Sequence, residues 1–247
     1  MVHEQTFSLY RLKYFTVRTA TQLQKSFLIM MAIIGALVSF PTLLTWRSQE
    51  ANFAADDGSL FSFIFMAIVG GYYLTSIAFK EMHKPQTNIL YLSLPVSAAE
   101  CFWGNWLITG PLYLIAANLA AVIILGINAF ACNLIWDAEV TMFHPFSESN
   151  LWELLKYMIF HAFFYWGAVF FKSKHFIKTF GTFILTGFVL LMIVVIIFGS
   201  VGEKMVATEN PEFLNPDNFE IIASSIIAAF AMLFLFIAFR LIKRKQA

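Results

Sequence analysis

The chain has 247 residues, 60% of them hydrophobic and 13% charged, with a formal net charge of +1 and a mean hydropathy of +0.74. Soluble domains average about 45–50% apolar and about 25% charged residues, so this composition excludes an ordinary soluble enzyme and a disordered chain. A near-neutral charge with no long basic run speaks against nucleic-acid binding, and Cys101 and Cys132 supply neither a disulfide framework nor a CxxC metal pair. The composition points to an all-α integral membrane protein.

Residues 8–25 read as a helix. Leu9, Leu12, Thr16, Ala20 and Leu23 share one stripe, Arg11, Arg18 and Lys25 recur every seven residues opposite it, and Phe7, Tyr10, Tyr14 and Val17 form a third stripe. A basic, aromatic helix of this kind is predicted to lie in the membrane interface, the other reading being a solvated helix with a weak apolar face. The first apolar run starts at Phe27 and is too long for the core of a signal peptide, so residues 1–26 are expected to be retained.

About 20 apolar residues cross a bilayer core. Six runs qualify, at 27–46, 59–79, 103–127, 154–171, 179–200 and 221–241, with 128–136 an interfacial continuation of the third. The fourth is short and contains His161. Continuous apolarity excludes a transmembrane barrel, whose strands alternate at every second residue. The chain is thus predicted to be one membrane domain over 1–247, with six spans across 27–241 and a basic tail at 242–247.

Charge orients the bundle. The segments before span one, between spans two and three, between four and five, and after six hold 13 of the 16 Lys and Arg: Arg11, Lys13, Arg18, Lys25, Lys80, Lys84, Lys172, Lys174, Lys178, Arg240, Lys243, Arg244 and Lys245. Basic loops stay cytoplasmic, which puts both termini inside the cell and predicts a multi-pass protein of the inner (cytoplasmic) membrane. Trp46, Trp136 and Trp152 fall at predicted outer boundaries and Trp103 at an inner one, the depth such rings prefer.

The loop from Phe79 to Leu107 is the most informative. Pro85 and Pro95 punctuate it, and Leu90, Leu92 and Leu94 make it apolar for a cytoplasmic segment. Ser97 and Glu100 have capping-box spacing, with Val96 and Cys101 at staple positions, so a helix is predicted to start at Ser97 and enter span three. The run Tyr91-Leu92-Ser93-Leu94-Pro95-Val96-Ser97-Ala98-Ala99-Glu100, followed by Trp103 and Trp106, resembles a motif in permease subunits of the type-two ABC exporters, where Leu-Pro-x-Ser-x-x-Glu follows the second of six spans. Such members often carry Lys or Arg after the Glu, where this chain has Cys101.

The resemblance implies a permease that pairs with a second copy or a paralogue and with cytoplasmic ABC ATPase subunits, which bring ATP and magnesium. It implies that Leu94, Pro95, Ser97 and Glu100 belong to or adjoin the ATPase-coupling loop, and that the N-terminal helix is a connecting helix at the membrane surface. It also implies that the stretch from Val201 to Glu220, with Val206, Phe213, Leu214 and Phe219, closes an outer gate.

The chain carries no catalytic motif. It has no Gly-Lys pair and hence no Walker A loop, and HExxH and GxSxG are absent. His161 is the clear titratable group at membrane depth, with Tyr165 one turn on, and the two form a candidate polar site or a simple inter-helix bond. Tyr72, Tyr73, Thr75, Ser76, Asn105, Thr109, Asn118, Thr186, Ser224 and Ser225 either join helices or line a path. Gly70-Gly71 is predicted to allow close helix approach and Gly110-Pro111 to kink span three. The rival reading is a non-transporting assembly or anchoring subunit.

Overall fold

The computed structural model describes residues 6–47, 55–136, 143–205 and 216–246, and among these every regular element is a helix. In chain order they are α1 (Leu9–Arg47), α2 (Ala55–Ala78), α3 (Lys80–His83), α4 (Pro85–Leu92), α5 (Ala98–Thr109), α6 (Pro111–Trp136), α7 (Glu148–Phe170), α8 (His175–Met205) and α9 (Pro216–Gln246). Among the described residues three stretches are long and apolar enough to cross a membrane: Leu9–Pro41, Phe61–Ala78 and Ala98–Ile135. They correspond to the first three predicted spans. Helix α7 is not among them, because Asn150, Glu153, Lys156 and His161 dilute its apolar run. Helix α8 contributes a shorter apolar stretch, His175–Val189.

The long helices run up and down. Arg11 and Arg18 near the start of α1 pair with Glu100 of α5 and Glu81 of α3, and Lys245 at the end of α9 bonds Val169 at the end of α7. One end of the bundle is therefore basic. At the other end Asn150 of α7 donates to Asn118 of α6 across 2.9 Å. Two apolar clusters fill the middle. One joins α1, α2, α6 and α7 through Met31, Ile34, Phe63, Tyr72, Tyr113 and Tyr157, and the other underlies the basic end through Phe15, Phe79, Met82, Tyr91, Phe102, Val169 and Ile242.

Outside these clusters the bundle is strongly apolar. Phe40, Phe61, Phe65, Phe130, Phe180 and Phe188 are all exposed, with many Leu and Ile beside them. Water-soluble monomers rarely expose apolar patches beyond a few hundred Å². A membrane around the helices accounts for this surface, and it places much of the phenylalanine content on the outside.

The predicted interfacial helix and first span form one uninterrupted helix. Helix α1 has 39 residues and is about 58 Å long at 1.5 Å per residue, against roughly 30 Å of bilayer core. Its aromatic stripe Phe7, Tyr10, Tyr14 and Val17 is exposed, but Arg11 and Arg18 turn into the bundle, and Phe15, Thr19 and Leu23 are the buried positions. Two acidic partners on later helices draw the arginines inward, which local periodicity cannot show.

The predicted features around spans two and three are present. Gly70 lies against Met30 of α1, and Gly71 lies against Tyr113 and Tyr157 of α6 and α7, so a side chain at either position would enter a neighbouring helix. The chain breaks at Gly110, between α5 and α6, where Pro111 lacks an N–H. Tyr157 Oη donates to the Thr109 carbonyl at this break across 2.7 Å. Helix α4 begins with Pro85 at its first position, after Lys84 in the extended conformation expected before proline.

Candidate functional site

Ser97 caps α5 in a full capping box: Glu100 N–H donates to Ser97 Oγ, and Ser97 N–H donates to Glu100 Oε2 at 2.8 Å. The staple residues Val96 and Cys101 both enter the basic-end core. Glu100 does more than cap. Its side chain is fully buried, accepts from Arg11 Nη2 at 3.0 Å and Arg11 Nε at 3.2 Å, and accepts from Ser8 N–H at 2.6 Å. Arg11 also donates to the Thr6 carbonyl. One carboxylate thus fastens the start of α1 to the start of α5.

Helix α4 is docked by Tyr91, whose hydroxyl meets Cys101 Sγ at 3.2 Å and accepts from Asn105 Nδ2 at 3.2 Å. The ring lies 6.3 Å from Phe15 of α1. With Tyr91 turned inward, Ile89 and Leu90 point out, 77% and 69% exposed. Among the residues singled out for coupling, Pro95 is exposed, Leu94 is half-buried against the core, and Ser97 and Glu100 are engaged in holding helices together. Among the described side chains, the outward apolar surface of this loop includes Ile89, Leu90 and Pro95. Sequence spacing marked the segment as apolar without showing which side chains face out.

His161 and Tyr165 are fully buried between helices. His161 Nε2 lies 2.9 Å from Thr109 Oγ1, and Thr109 spends its own proton on the Asn105 carbonyl at 2.8 Å. The histidine is then the donor, which leaves its Nδ1 as a bare acceptor and not as a costlier bare N–H. Tyr165 donates to the Phe102 carbonyl at 2.7 Å, and Tyr113 to the Ala67 carbonyl. Both members of the candidate polar site bind α7 to α5.

Thr75, Ser76, Asn105 and Asn118 donate to the carbonyl four residues back in their own helices. Between α2, α6 and α7 a cavity of about 30 Å³ remains, lined by Phe63, Tyr113, Asn118, Phe143 and Asn150, with room for about one water. Asn105, Thr109 and Asn118 also bond side chains of other helices in this conformation. Among the described residues no three His, Cys, Asp or Glu side chains gather to hold a metal.

At the basic end a second feature has no counterpart in sequence spacing. Residues 172–174 and the start of α8 close against the end of α2 and α3 to form a cleft of about 530 Å³. His83 Nε2 donates to the Ala168 carbonyl at 3.0 Å, its ring lies 4.7 Å from His175, and Lys245 Nζ approaches its Nδ1 at 3.5 Å. Burial, reinforced by Lys245, pushes the His83 pKa down to about 4. Burial also lowers His175 and, with Lys172, brings Lys245 to about 8.

Val206, Phe213 and Leu214, expected from the resemblance to close an outer gate, lie outside the described residues, as do the side chains of Phe219, Trp46 and Trp136. No family model matches the chain, and no curated protein or solved structure matches it at a significant level. The class that the fold defines is an all-helical, membrane-embedded bundle with a structured loop at its basic end.

Proposed function

We propose that the chain is the permease subunit of an ATP-driven ABC exporter, with six spans and both termini in the cytoplasm. It pairs with a second copy or a paralogue, and a separate ATPase subunit supplies ATP, magnesium and the energy of hydrolysis. The observation that carries the reading is α4: a short helix between two membrane helices, pinned by Tyr91 and presenting Ile89 and Leu90 outward at the basic end. Two adjacent exposed apolar side chains on a rigid stub, flanked by Lys84 and Pro95, suit the transmission of a push from a docked protein. The Arg11–Glu100 and Arg18–Glu81 pairs would carry that push into α1 and α3. His161 is assigned no catalytic part, since both His161 and Tyr165 are used in joining helices.

The test is affinity purification of the tagged chain in mild detergent with identification of what accompanies it. A stoichiometric protein with a Walker A loop is expected, and Ile89→Asp with Leu90→Asp should release it while the permease stays monodisperse. Retention of the ATPase by the double variant overturns the assignment of α4. The small cavity within the bundle favours a second reading, a non-transporting assembly or anchoring subunit. Cysteine labelling along α2 and α8 separates the two, because a transporter must open these helices to water during its cycle.

A further inference from the structure

Four lysines converge on the cleft at the basic end from two separate segments. Lys80 and Lys84 come from α3 and its exit, and Lys172 and Lys174 come from the connection between α7 and α8. All four are exposed, and among the described residues none has an ion-pair partner. Among the described residues no carboxylate lines the cleft, and the neighbouring Glu81 is held by Arg18 at 2.8 Å and by Gln22. Lys245 does not line the cleft; it is turned inward onto the Val169 carbonyl and lies 3.5 Å from His83, one of the lining residues. Like charges are thus concentrated where no described residue neutralises them, and the cleft invites an anion.

The other wall is apolar. Tyr73, Ile77, Phe176 and Ile177 line it, and the Tyr73 and Phe176 rings meet edge to face at 6.0 Å. From this point exposed apolar residues continue along both helices: Phe65, Val69 and Tyr73 at four-residue steps on α2, and Ile177, Ile184 and Phe188 on α8. A site with a cationic mouth and greasy strips leading away matches an amphiphile better than a free anion. Its volume falls within the about 300–1,000 Å³ of ordinary ligand clefts. Basic pockets between membrane helices on the cytoplasmic side are where anionic lipid head groups are recognised.

We propose that this cleft binds an anionic phospholipid, its phosphate head group held by Lys80, Lys84, Lys172 and Lys174 and its acyl chains laid against Tyr73, Phe176 and Ile177. The inference rests on the chain being membrane-embedded and not on its being a transporter. His83 and His175 form the floor, and their charge is not needed for the anion to be held.

The test is lipid retention by the full chain in mild detergent, read by native mass spectrometry, with dioleoyl phosphatidylglycerol and dioleoyl phosphatidylcholine as competing probes of equal chain length. Wild-type protein is expected to keep one phosphatidylglycerol in preference. A lysine near the membrane surface is worth roughly fivefold in affinity, so Lys84→Gln with Lys172→Gln should cut the preference by about twenty-five-fold. Lys84→Arg with Lys172→Arg should keep it, as should Lys13→Gln with Lys25→Gln, which removes equal charge elsewhere on the chain. Equal retention of the two lipids by wild type overturns the proposal, and so does an equal loss in the Lys13 and Lys25 control. Displacement of the bound lipid by millimolar inorganic phosphate also overturns it, since the cleft would then serve a free anion. Both exposed pairs leave the core untouched, and a variant that fails to run as a monodisperse peak is replaced by Lys80→Gln with Lys174→Gln.

Discussion

Removing Arg11 tests whether one buried carboxylate holds α1 in place. In Arg11→Ala, the Glu100 carboxylate keeps only the Ser8 and Ser97 N–H groups to face its charge. Breaking a buried ion pair from one side costs about 3–5 kcal/mol. The Arg11 side chain is 32% exposed, so water refills part of its place. The lost charged hydrogen bonds then set the scale, at about 2 kcal/mol. Cys101, next to Glu100 and fully buried, provides a local readout in a background where Cys132 is replaced by Ala. If α1 must lift off for a maleimide to reach this thiol, 2 kcal/mol corresponds to roughly thirtyfold faster labelling. Arg11→Lys, which keeps the charge but not the two-nitrogen fork, should fall about midway on a logarithmic scale. Adding Glu100→Ala to Arg11→Ala should cost less than Glu100→Ala alone, because the pair acts as a unit. Labelling of Cys101 within twofold of wild type in a folded Arg11→Ala protein would refute the clamp.

The glycine pair in α2 should respond unequally to added methyl groups. Gly71→Ala drives a Cβ to 2.5 Å from the Tyr113 ring and 2.6 Å from the Tyr157 hydroxyl, two locked aromatics, and should cost about 1–3 kcal/mol in a detergent melt. Gly70→Ala meets the flexible tip of Met30 and should cost under about 1 kcal/mol, so equal losses at the two positions would count against the packing described. The His83 pKa, about 4 in the fold against an ordinary 6.5, makes stability depend on pH. The unfolded chain binds the extra proton first, so the contribution is complete above pH 6.5 and is lost as pH falls from there towards 4. Allowing for the partial exposure of the ring, about 1–2 kcal/mol should disappear in that window. His83→Gln, which still donates to the Ala168 carbonyl, should flatten much of this loss, with His175 supplying the remainder.

Some of this architecture follows from the sequence by itself. Apolar runs, basic loops and the absence of alternation specify membrane helices, and the Ser97–Glu100 capping box, the Val96–Cys101 staple and the Gly110-Pro111 break stand where spacing puts them. These features are legible because a cap or a kink uses groups within four residues of one another. What faces what was decided by tertiary structure. In a membrane both the lipid side and the core side of a helix are apolar, so hydrophobic periodicity does not distinguish them. That is why Phe15 emerged as core, while Phe61 and Phe65 face outward. The partners of Arg11 and Arg18 lie 89 and 63 residues away, a separation that no local pattern reports. The same holds for the lysine cleft, whose charges come from segments about 90 residues apart and meet because α2 and α8 pack together.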